Sequence, residues 1–316
     1  MNRNRQLLAG GLTVVLLLAA AIAGGSLYLL NYALRPENRG KDLAGSWAYM
    51  RETYPMLVSW TDSLQKAHAL RDTFIVASDG VRLHACYAAA DRPTARTAVI
   101  VHGYTDNAIR MLHIGYLYHR SLGCNILLPD LRYSGLSGGD AFQMGWLDRK
   151  DVAQWLEVAP ALFGDSLRTV VHGISMGAAT TLMLSGDPQP SHVRSFVEDC
   201  GYTSVWDQFS KELRQQFSLP AFPLLSVASL LCQWQYGWNF REASALRQVA
   251  RCRLPMLFIH GDADDFVPTW MVYPLYAAKP DPKELWIVPG ATHARSYLLR
   301  PEEYTDRVAR FLKEWL

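Results

Sequence analysis

The fold is decided by the stretch Thr169-Val170-Val171-His172-Gly173-Ile174-Ser175-Met176-Gly177, in which an apolar, β-branched run ends on a serine between two glycines. Residues 176–184, which follow, are suited to a helix. Gly-x-Ser-x-Gly between a strand and a helix is typical of a tight, strained turn that exposes the serine. The glycines leave out Cβ atoms that would clash with the neighbouring strand and helix. This context predicts Ser175 as a nucleophile; the alternative is an ordinary turn serine.

Short apolar runs of strand type recur on both sides of this turn. We predict strands at 74–76, 81–88, 98–101, 125–128, 169–171, 196–197, 256–259 and 285–288. Segments of helical length lie at 107–121, 145–159, 176–185, 269–278 and 301–315. Strands that alternate with helices at this spacing predict an α/β domain with a mostly parallel sheet and helices on both faces.

The long interval between Cys200 and Pro255 breaks this alternation because it has no strand pattern. An amphipathic helix is predicted over 206–217, and an apolar, aromatic stretch follows over 224–238. Connections this long are uncommon in compact domains unless they carry function. We predict a small helical cap over the substrate pocket at about 203–250. The alternative for part of it is a helix that packs on the sheet.

A histidine follows the last predicted strand. A serine hydroxyl is a poor nucleophile at neutral pH and needs a general base. His293 comes after the run 285–288 in the loop Pro289-Gly290-Ala291-Thr292-His293. Because the carboxyl ends of parallel strands meet at one edge of a sheet, we expect His293 beside Ser175. His293 is therefore the predicted base.

The acid that orients this histidine has to be chosen from several carboxylates. A buried carboxylate holds the imidazole and stabilises its charged form. His260-Gly261-Asp262-Ala263-Asp264-Asp265 follows the predicted strand 256–259 and supplies three candidates. The local spacing favours Asp264, which gives the chain order serine, aspartate, histidine. The alternatives are Asp262, Asp265 and Asp199.

Two backbone amides are predicted to bind the oxyanion of a tetrahedral intermediate. The amide of Met176 follows the nucleophile and lies at a helix N-terminus, where the helix dipole favours negative charge. The second amide is expected from Tyr104, since Gly103 allows the chain to turn after the strand 98–101. An ordinary strand end at His102-Gly103 is the alternative.

Together these residues resemble the α/β-hydrolase family, in particular its membrane-anchored bacterial members related to serine aminopeptidases and esterases. The resemblance covers about residues 70–316 and rests on five motifs. They are His102-Gly103-Tyr104-Thr105, the segment 130–139, the serine turn, His260-Gly261-x-x-Asp264-x-x-Val267-Pro268 and Gly290-x-x-His293.

This resemblance implies an α/β-hydrolase fold with Ser175, Asp264 and His293 as the catalytic triad and the amides of Tyr104 and Met176 as the oxyanion hole. It also implies a structural role for the segment 130–139. Ile174 departs from the family pattern, in which many members carry histidine or another polar residue there. We expect this difference to alter the surroundings of the turn but not the chemistry.

The N-terminal segment is unlike the rest, because no charged residue lies between Arg5 and Arg35 and residues 7–30 are nearly all apolar. About 20 such residues cross a bilayer as a helix. We predict a single-pass membrane anchor at 1–34, a connector at 35–70 and the hydrolase domain at 71–316. Ala21-Ile22-Ala23 supports the alternative of a cleaved signal peptide and a secreted protein. The basic residues on the two sides of the span nearly balance, and we expect the catalytic domain outside the cytoplasm.

Composition and charge limit the other functions. The 31 basic and 29 acidic side chains give a net charge of +2, without basic runs, which argues against a nucleic-acid partner. The five cysteines are far apart, and buried apolar positions explain them best. If the domain is exported, Cys232 and Cys252 are the one pair that we consider. We expect no metal and no cofactor, because His, Cys and Asp do not cluster at ligand spacing.

The predicted reaction is therefore cleavage of an acyl bond through an acyl-enzyme on Ser175. The substrate is expected to be a small-molecule acyl ester or amide. Three tryptophans of the predicted cap favour a hydrophobic ester: Trp206, Trp234 and Trp238. The alternatives are a serine peptidase or amidase with the same triad and a non-catalytic binding protein on this fold.

Overall fold

The computed structural model describes residues 3–36 and 39–316, with side chains from residue 7 onward except at 37–39. Within these ranges eight strands form one sheet. They are β1 (Arg71–Val76), β2 (Arg82–Ala88), β3 (Arg96–Val101), β4 (Asn125–Pro129), β5 (Arg168–Ile174), β6 (Val193–Asp199), β7 (Met256–Gly261) and β8 (Lys283–Val288). Each predicted strand is confirmed, with ends that differ by a few residues.

The strand order is β1-β2-β4-β3-β5-β6-β7-β8. β1 and β2 form an antiparallel hairpin, and β2 is also antiparallel to β4, whereas the other pairs are parallel. β3 lies between β4 and β5, so the chain runs from β3 to β4 on one side and then crosses over β3 to reach β5 on the other. A crevice at the carboxyl ends of the strands forms at such a switch point. The Gly-x-Ser-x-Gly turn ends β5 there, because Gly173 pairs with Val101 at the end of β3.

Helices surround this sheet. They are α1 (Arg3–Leu34), α2 (Leu43–Thr53), α3 (Val58–Lys66), α4 (Leu112–Tyr116), α5 (Asp148–Phe163), α6 (Met176–Ser185), α7 (Val205–Phe217), α8 (Leu224–Tyr236), α9 (Ala245–Val249), α10 (Val272–Ala278), α11 (Ser296–Leu299) and α12 (Pro301–Trp315). The predicted helix 107–121 is divided into a 3₁₀ turn at Ala108–Met111, α4 and a π-helical turn at Leu117–Ser121. The predicted helix 269–278 begins with a 3₁₀ turn at Thr269–Met271 and continues as α10. The other helical predictions are confirmed with shifted ends.

The core consists of two apolar layers, one on each face of the sheet. Val99 and Val101 of β3 belong to one layer, together with Trp155 of α5. Ala98 and Ile100 alternate with them and belong to the other layer, which α12 covers with Phe311 and Leu312. Successive strand residues point to opposite faces, so a strand that is apolar throughout is buried on both sides. The predicted α/β-hydrolase fold with covered faces is thus confirmed.

The predicted cap segment contains α7, α8 and α9. A backbone bridge between Ser204 and Ser244 joins its two ends. Ser204 caps the N-terminus of α7, and its hydroxyl oxygen accepts a hydrogen bond from the amide of Asp207. Ser218 follows the last residue of α7 in a left-handed conformation. The side-chain cap satisfies an amide that the first helical turn leaves free.

α1 is a single helix whose two parts have different surroundings. Residues 7–21 are exposed, whereas Ser26, Leu30 and Leu34 are buried at a spacing of four residues, on one helical face. That face packs on α8, where the Ser26 hydroxyl donates to the carbonyl of Leu224 (2.9 Å). Leu7–Leu34 is long and apolar enough to cross a membrane, a property that signal sequences share.

All five cysteines lie within the described part of the chain, and each is free and buried. The pair considered from the sequence, Cys232 with Cys252, is not formed. Both thiols lie in the apolar core, where a cysteine packs as a small hydrophobic side chain.

Candidate active site

The Ser175 turn has the strained geometry that its sequence predicts. Ser175 has φ 59° and ψ −120°, and its amide donates to the carbonyl of Asp199 on β6 (2.8 Å). A Cβ atom at Gly177 would lie 2.6 Å from the carbonyl oxygen of His102 and closer still to that of Val101. Only glycine therefore allows α6 to approach the end of β3. The strain holds the serine hydroxyl out of the sheet.

Three side chains from distant parts of the sequence meet at this turn. The Ser175 Oγ lies 2.8 Å from Nε2 of His293, in the loop after β8. Nδ1 of the same imidazole lies 2.7 Å from Oδ2 of Asp264, in the loop after β7. The side chain of Asp264 is fully buried, and that of His293 remains partly exposed. The structure thus brings the three predicted residues into one hydrogen-bonded chain.

The carboxylate of Asp264 is held from both sides. Oδ1 accepts the amides of Phe266 and Val267, each at 3.0 Å, and Oδ2 lies 3.4 Å from Nε2 of His260 as well as near His293. Burial raises the pKa of Asp264, but the hydrogen bonds and charges of the two histidines outweigh it and lower that pKa to about 2. Asp264 is therefore ionised at neutral pH, as an acid that stabilises an imidazolium must be.

His260 also belongs to the site, although we assigned it no role from the sequence. Its Nε2 lies 2.8 Å from the carbonyl oxygen of Val267, which can only accept, so this nitrogen carries the proton. Burial lowers the pKa of His260, while the hydrogen bond to Asp264 and the charge of Glu198 raise it and prevail. The sequence signal for this contact is the position of His260 at the end of β7, four residues before Asp264.

The other three carboxylates have different partners. Asp262 accepts the amide of Gly290 at 2.6 Å, which shapes the loop that carries His293. Asp265 is exposed. Asp199 accepts from the hydroxyls of Ser296 (3.2 Å) and Tyr304 (3.1 Å), and burial raises its pKa to about 6. In the described part of the chain, none of them forms a hydrogen bond with His293.

The loop after β3 lies against the serine turn. A Cβ atom at Gly103 would be 3.4 Å from the Cβ of Ser175, so the two backbones are close. Nδ1 of His102 lies 2.7 Å from the carbonyl oxygen of Gly103, and Nε2 accepts the amide of Leu131 (2.9 Å). Burial lowers the pKa of His102, so this neutral imidazole fixes the loop. The oxyanion role of the amides of Tyr104 and Met176 stays a prediction.

The segment 130–139 supports this loop. The carboxylate of Asp130 accepts the amides of Ala108 (2.7 Å) and Leu136 (2.9 Å) and lies 2.7 Å from Nδ1 of His84. These contacts join the segment after β4 to strand β2 and to the start of the 3₁₀ turn at Ala108–Met111. They give Asp130 the structural role that the resemblance implies.

A cavity of about 280 Å³ opens at Ser175. This is near the lower end of the roughly 300–1,000 Å³ of small-molecule sites. Its wall is mostly apolar and includes the following residues of α1, the β3 loop and the cap segment: Leu29, Leu30, Ala33, Tyr104, Phe209, Leu213, Phe217, Leu225 and Phe240. The contribution of α1 was not predicted.

The three tryptophans expected to make the pocket hydrophobic do not line it. Trp234 is 86% exposed, and Trp238 is buried with its indole N–H donating to Oε1 of Gln143. Trp206 packs under the guanidinium of Arg241. The pocket is apolar without them, and its aromatic residues are Phe209, Phe217, Phe240 and Phe266 together with Tyr32, Tyr104 and Tyr202.

Two groups in the described residues bring metal-ligand atoms within 4.8 Å of one another: Asp72 with His84 and Cys86, and Cys200 with Asp264 and His293. In both groups burial raises the pKa of the cysteine thiol well above its usual value. A thiol must lose its proton to bind a metal. In the second group, Asp264 and His293 already bond to each other.

An open sheet with this strand order and a strained serine turn after β5 defines a hydrolase of the α/β-hydrolase type. Comparison with known proteins also identifies the family. The chain belongs to the prolyl oligopeptidase family, whose sequence model matches residues 117–316. That range contains Ser175, Asp264 and His293 but not Tyr104.

Known proteins similar to this chain share most of its length. The uncharacterized protein YqkD of Bacillus subtilis is 31% identical over 226 residues, which cover 72% of this chain and 74% of YqkD. The α/β-hydrolase domain-containing protein WAV2 of Arabidopsis thaliana is 26% identical over 252 residues, covering 77% and 79%. Among solved structures, the Pyrococcus furiosus esterase Pf2001 has a TM-score of 0.63 and 24% identity, and the match covers 78% of this chain and 92% of Pf2001. At that identity the structural likeness shows the fold.

Proposed function

We propose that this protein cleaves an acyl bond, a carboxylic ester in preference to an amide, through an acyl-enzyme on Ser175. The observation that carries the proposal is the hydrogen-bonded chain from Ser175 Oγ through His293 to Asp264, with distances of 2.8 and 2.7 Å. Such a chain supplies a hydroxyl with a base and the base with a fixed tautomer.

The reaction follows from these positions. His293 takes the proton of Ser175 through Nε2 as the hydroxyl attacks the carbonyl carbon, and the ionised Asp264 stabilises the imidazolium that forms. The amides of Tyr104 and Met176 bind the oxyanion. His293 then gives the proton to the leaving group. Water, deprotonated by the same imidazole, releases the acyl group from Ser175.

The apolar cavity beside Ser175 supports an ester with a hydrophobic acyl or alcohol part. A serine peptidase or amidase is the second candidate, and membership in the prolyl oligopeptidase family favours it. The two are distinguished by kcat/KM on a panel of p-nitrophenyl esters and aminoacyl p-nitroanilides. Higher values for the esters support our proposal, and higher values for the anilides establish the alternative.

The nucleophile is tested with a fluorophosphonate probe, which reacts with activated serines. We expect the wild type to be labelled and Ser175→Ala to lose labelling and hydrolysis. Ser195→Ala on the neighbouring strand β6 is the control, because Ser195 is buried and its hydroxyl lacks a hydrogen-bond partner in the described structure. Labelling that persists in Ser175→Ala would remove Ser175 from the mechanism.

We also propose that α1 is an uncleaved single-pass anchor, that the hydrolase domain lies outside the cytoplasm, and that α7 and α8 belong to a cap over the cavity. The length and apolar character of Leu7–Leu34 support the anchor. Protease treatment of intact cells tests the topology: digestion of the domain is expected, and its protection until the cells are opened would reverse the orientation. A mature chain that begins near Gly24 would establish signal cleavage instead.

A further inference from the structure

The last turns of α1 form one wall of the cavity that contains Ser175. Leu29, Leu30 and Ala33 face this cavity, opposite side chains of α7 and α8 such as Leu213 and Leu225. A helix that served only as a tether would leave the domain without contributing to its pocket. Here the pocket is incomplete without α1.

This wall is fixed to the domain by specific contacts. Gly25 lies close to Leu224, since a Cβ atom at Gly25 would be 3.3 Å from the Leu224 side chain. The Tyr32 hydroxyl donates to Oε1 of Gln216 on α7 (3.1 Å), in addition to the hydrogen bond from Ser26 to α8. Leu30 is only 1% exposed. These contacts hold the helix against both cap helices along several turns.

The same helix is nearly all apolar and is exposed where it leaves the domain, at residues 7–21. In water such a surface is unfavourable, and a bilayer is the phase that would cover it. At 1.5 Å per residue, Leu18 and Leu29 are about 16 Å apart along the helix. The pocket wall therefore lies less than one bilayer thickness from the exposed segment.

The cap next to α1 also exposes apolar side chains. Phe222, Leu230 and Trp234 are exposed on and just before α8, the helix that packs on α1. Exposed tryptophan beside an apolar helix is typical of a protein surface at a membrane interface. Two neighbouring elements of the pocket thus present apolar residues outward.

We propose that the pocket binds one long aliphatic acyl chain against α1, so that the substrate class is a fatty acyl ester delivered from the bilayer that surrounds residues 7–21. This inference rests on the proposed function at Ser175. The acyl chain lies between Leu29 and Ala33 of α1 and the apolar side chains of α7 and α8. The ester carbonyl is then beside the serine hydroxyl.

The test uses the full-length protein in detergent with p-nitrophenyl butyrate and p-nitrophenyl laurate. Leu29→Trp fills the pocket, and we expect it to lower the ratio of kcat/KM for laurate to kcat/KM for butyrate about tenfold or more. Leu27→Trp is the matched control, because Leu27 is exposed on the same helix. It is expected to leave the ratio of the two substrates unchanged. Equal ratios in Leu29→Trp and the wild type would overturn the proposal.

A second substitution covers the case in which Leu29→Trp fails to fold, as shown by loss of fluorophosphonate labelling. Leu29→Ala enlarges the pocket and is expected to shift the preferred chain length by at least two carbons while labelling persists. An unchanged preference would overturn the acyl pocket. If the wild type is neither labelled nor active on any ester, the proposed function fails, and that result differs from normal labelling with an unaltered chain-length profile.

Delivery from the bilayer is tested by placing the laurate ester either in the vesicles that contain the enzyme or in separate ones. The vesicles consist of phosphatidylethanolamine and phosphatidylglycerol. Faster initial hydrolysis in shared vesicles supports delivery through the membrane. Equal rates would show that the fatty ester arrives from solution and would overturn that part of the proposal.

Discussion

The phenolic hydroxyl of Tyr104 donates a hydrogen bond of 2.7 Å to the backbone carbonyl of Ala33. Tyr104 belongs to the loop after β3, and its backbone amide is the one that we propose for the oxyanion hole. Ala33 lies in the last turn of α1. Burial raises the pKa of Tyr104, so the hydroxyl stays protonated as a donor at physiological pH. A single side chain thus joins the apolar N-terminal helix to the loop beside Ser175.

Tyr104→Phe should weaken this connection without changing the backbone amide. We expect a loss of about 1 kcal/mol in the free energy of unfolding, because one partly buried hydrogen bond is removed and the ring remains. KM for long acyl esters should rise more than kcat falls, since the α1 wall loses a support. Thermal unfolding and steady-state kinetics measure the two effects.

Tyr32→Phe provides the control for that prediction. Its hydroxyl also bonds from α1 to the domain, but the residue is half exposed, and such surface changes are usually within about 0.5 kcal/mol. Equal losses of stability in the two variants would contradict a special role for the Tyr104 contact.

Asp264→Asn should reduce turnover far more than Asp199→Asn. Asp264 accepts from Nδ1 of His293, and an amide at that position no longer fixes the imidazole in the tautomer that the base requires. The expected decrease in kcat is about 10⁴-fold, as in triads whose aspartate is replaced by asparagine. Asp199 bonds instead to Ser296 and Tyr304, so its variant should lose mainly stability. The reverse ranking of kcat would exclude Asp264 as the acid.

Gly177→Ala should prevent the serine turn from forming. The added Cβ would overlap the carbonyls of Val101 and His102, which belong to the backbone and cannot rotate away. We expect a loss of several kcal/mol in stability, or no folded protein, because the site is fully packed. Soluble yield, thermal unfolding and fluorophosphonate labelling report the outcome.

Gly115→Ala is the matched control for Gly177→Ala. Gly115 is also buried in a helix, but its Cβ would meet only side chains, at ordinary contact distances of 3.4–3.7 Å. Alanine also has the higher helix propensity. The control should fold and be labelled, and comparable damage in both variants would show that the close approach to β3 is not the cause.

The strands and the positions of Ser175 and His293 could be predicted from the sequence because their signals are local. Apolar runs mark strands buried on both faces, and a parallel sheet gathers the loops after β5 and β8 at one edge. The choice among four carboxylates was less direct. Asp262, Asp264 and Asp265 follow the same strand, and only the turn geometry shows which one reaches His293.

The pocket wall could not be predicted, for a physical reason. An apolar helix has the same composition whether lipid or protein covers it, and the last turns of α1 pack on protein. A weak signal was the small pair Gly25-Ser26, which allows α1 to approach α8 closely. The tryptophans misled the prediction because composition shows that a segment is aromatic but not which side chains face inward.

Asp148→Asn should stabilise the protein at high pH more than at low pH. Asp148 is buried at the start of α5, and burial together with the charge of Asp151 raises its pKa to about 7 from an ordinary value of 3.8. The folded state therefore keeps the proton to a higher pH than the unfolded chain does. The stability associated with the protonated carboxyl is complete below about pH 4 and is lost as the pH rises through about 7.

Asparagine imitates the neutral carboxyl, and its oxygen can still accept the amide of Gly145, which bonds to Asp148 at 2.7 Å. At pH 8 the variant should exceed the wild type by up to about 4 kcal/mol in free energy of unfolding, since each unit of pKa shift corresponds to about 1.4 kcal/mol. At pH 5 the difference should shrink by most of that amount. Glu157→Gln, at an exposed position of the same helix, should change stability equally at both pH values. Thermal unfolding of both variants and the wild type between pH 5 and pH 8 measures these differences in stability. An effect of Asp148→Asn that does not change with pH would mean that Asp148 is ionised in the folded protein over this whole range.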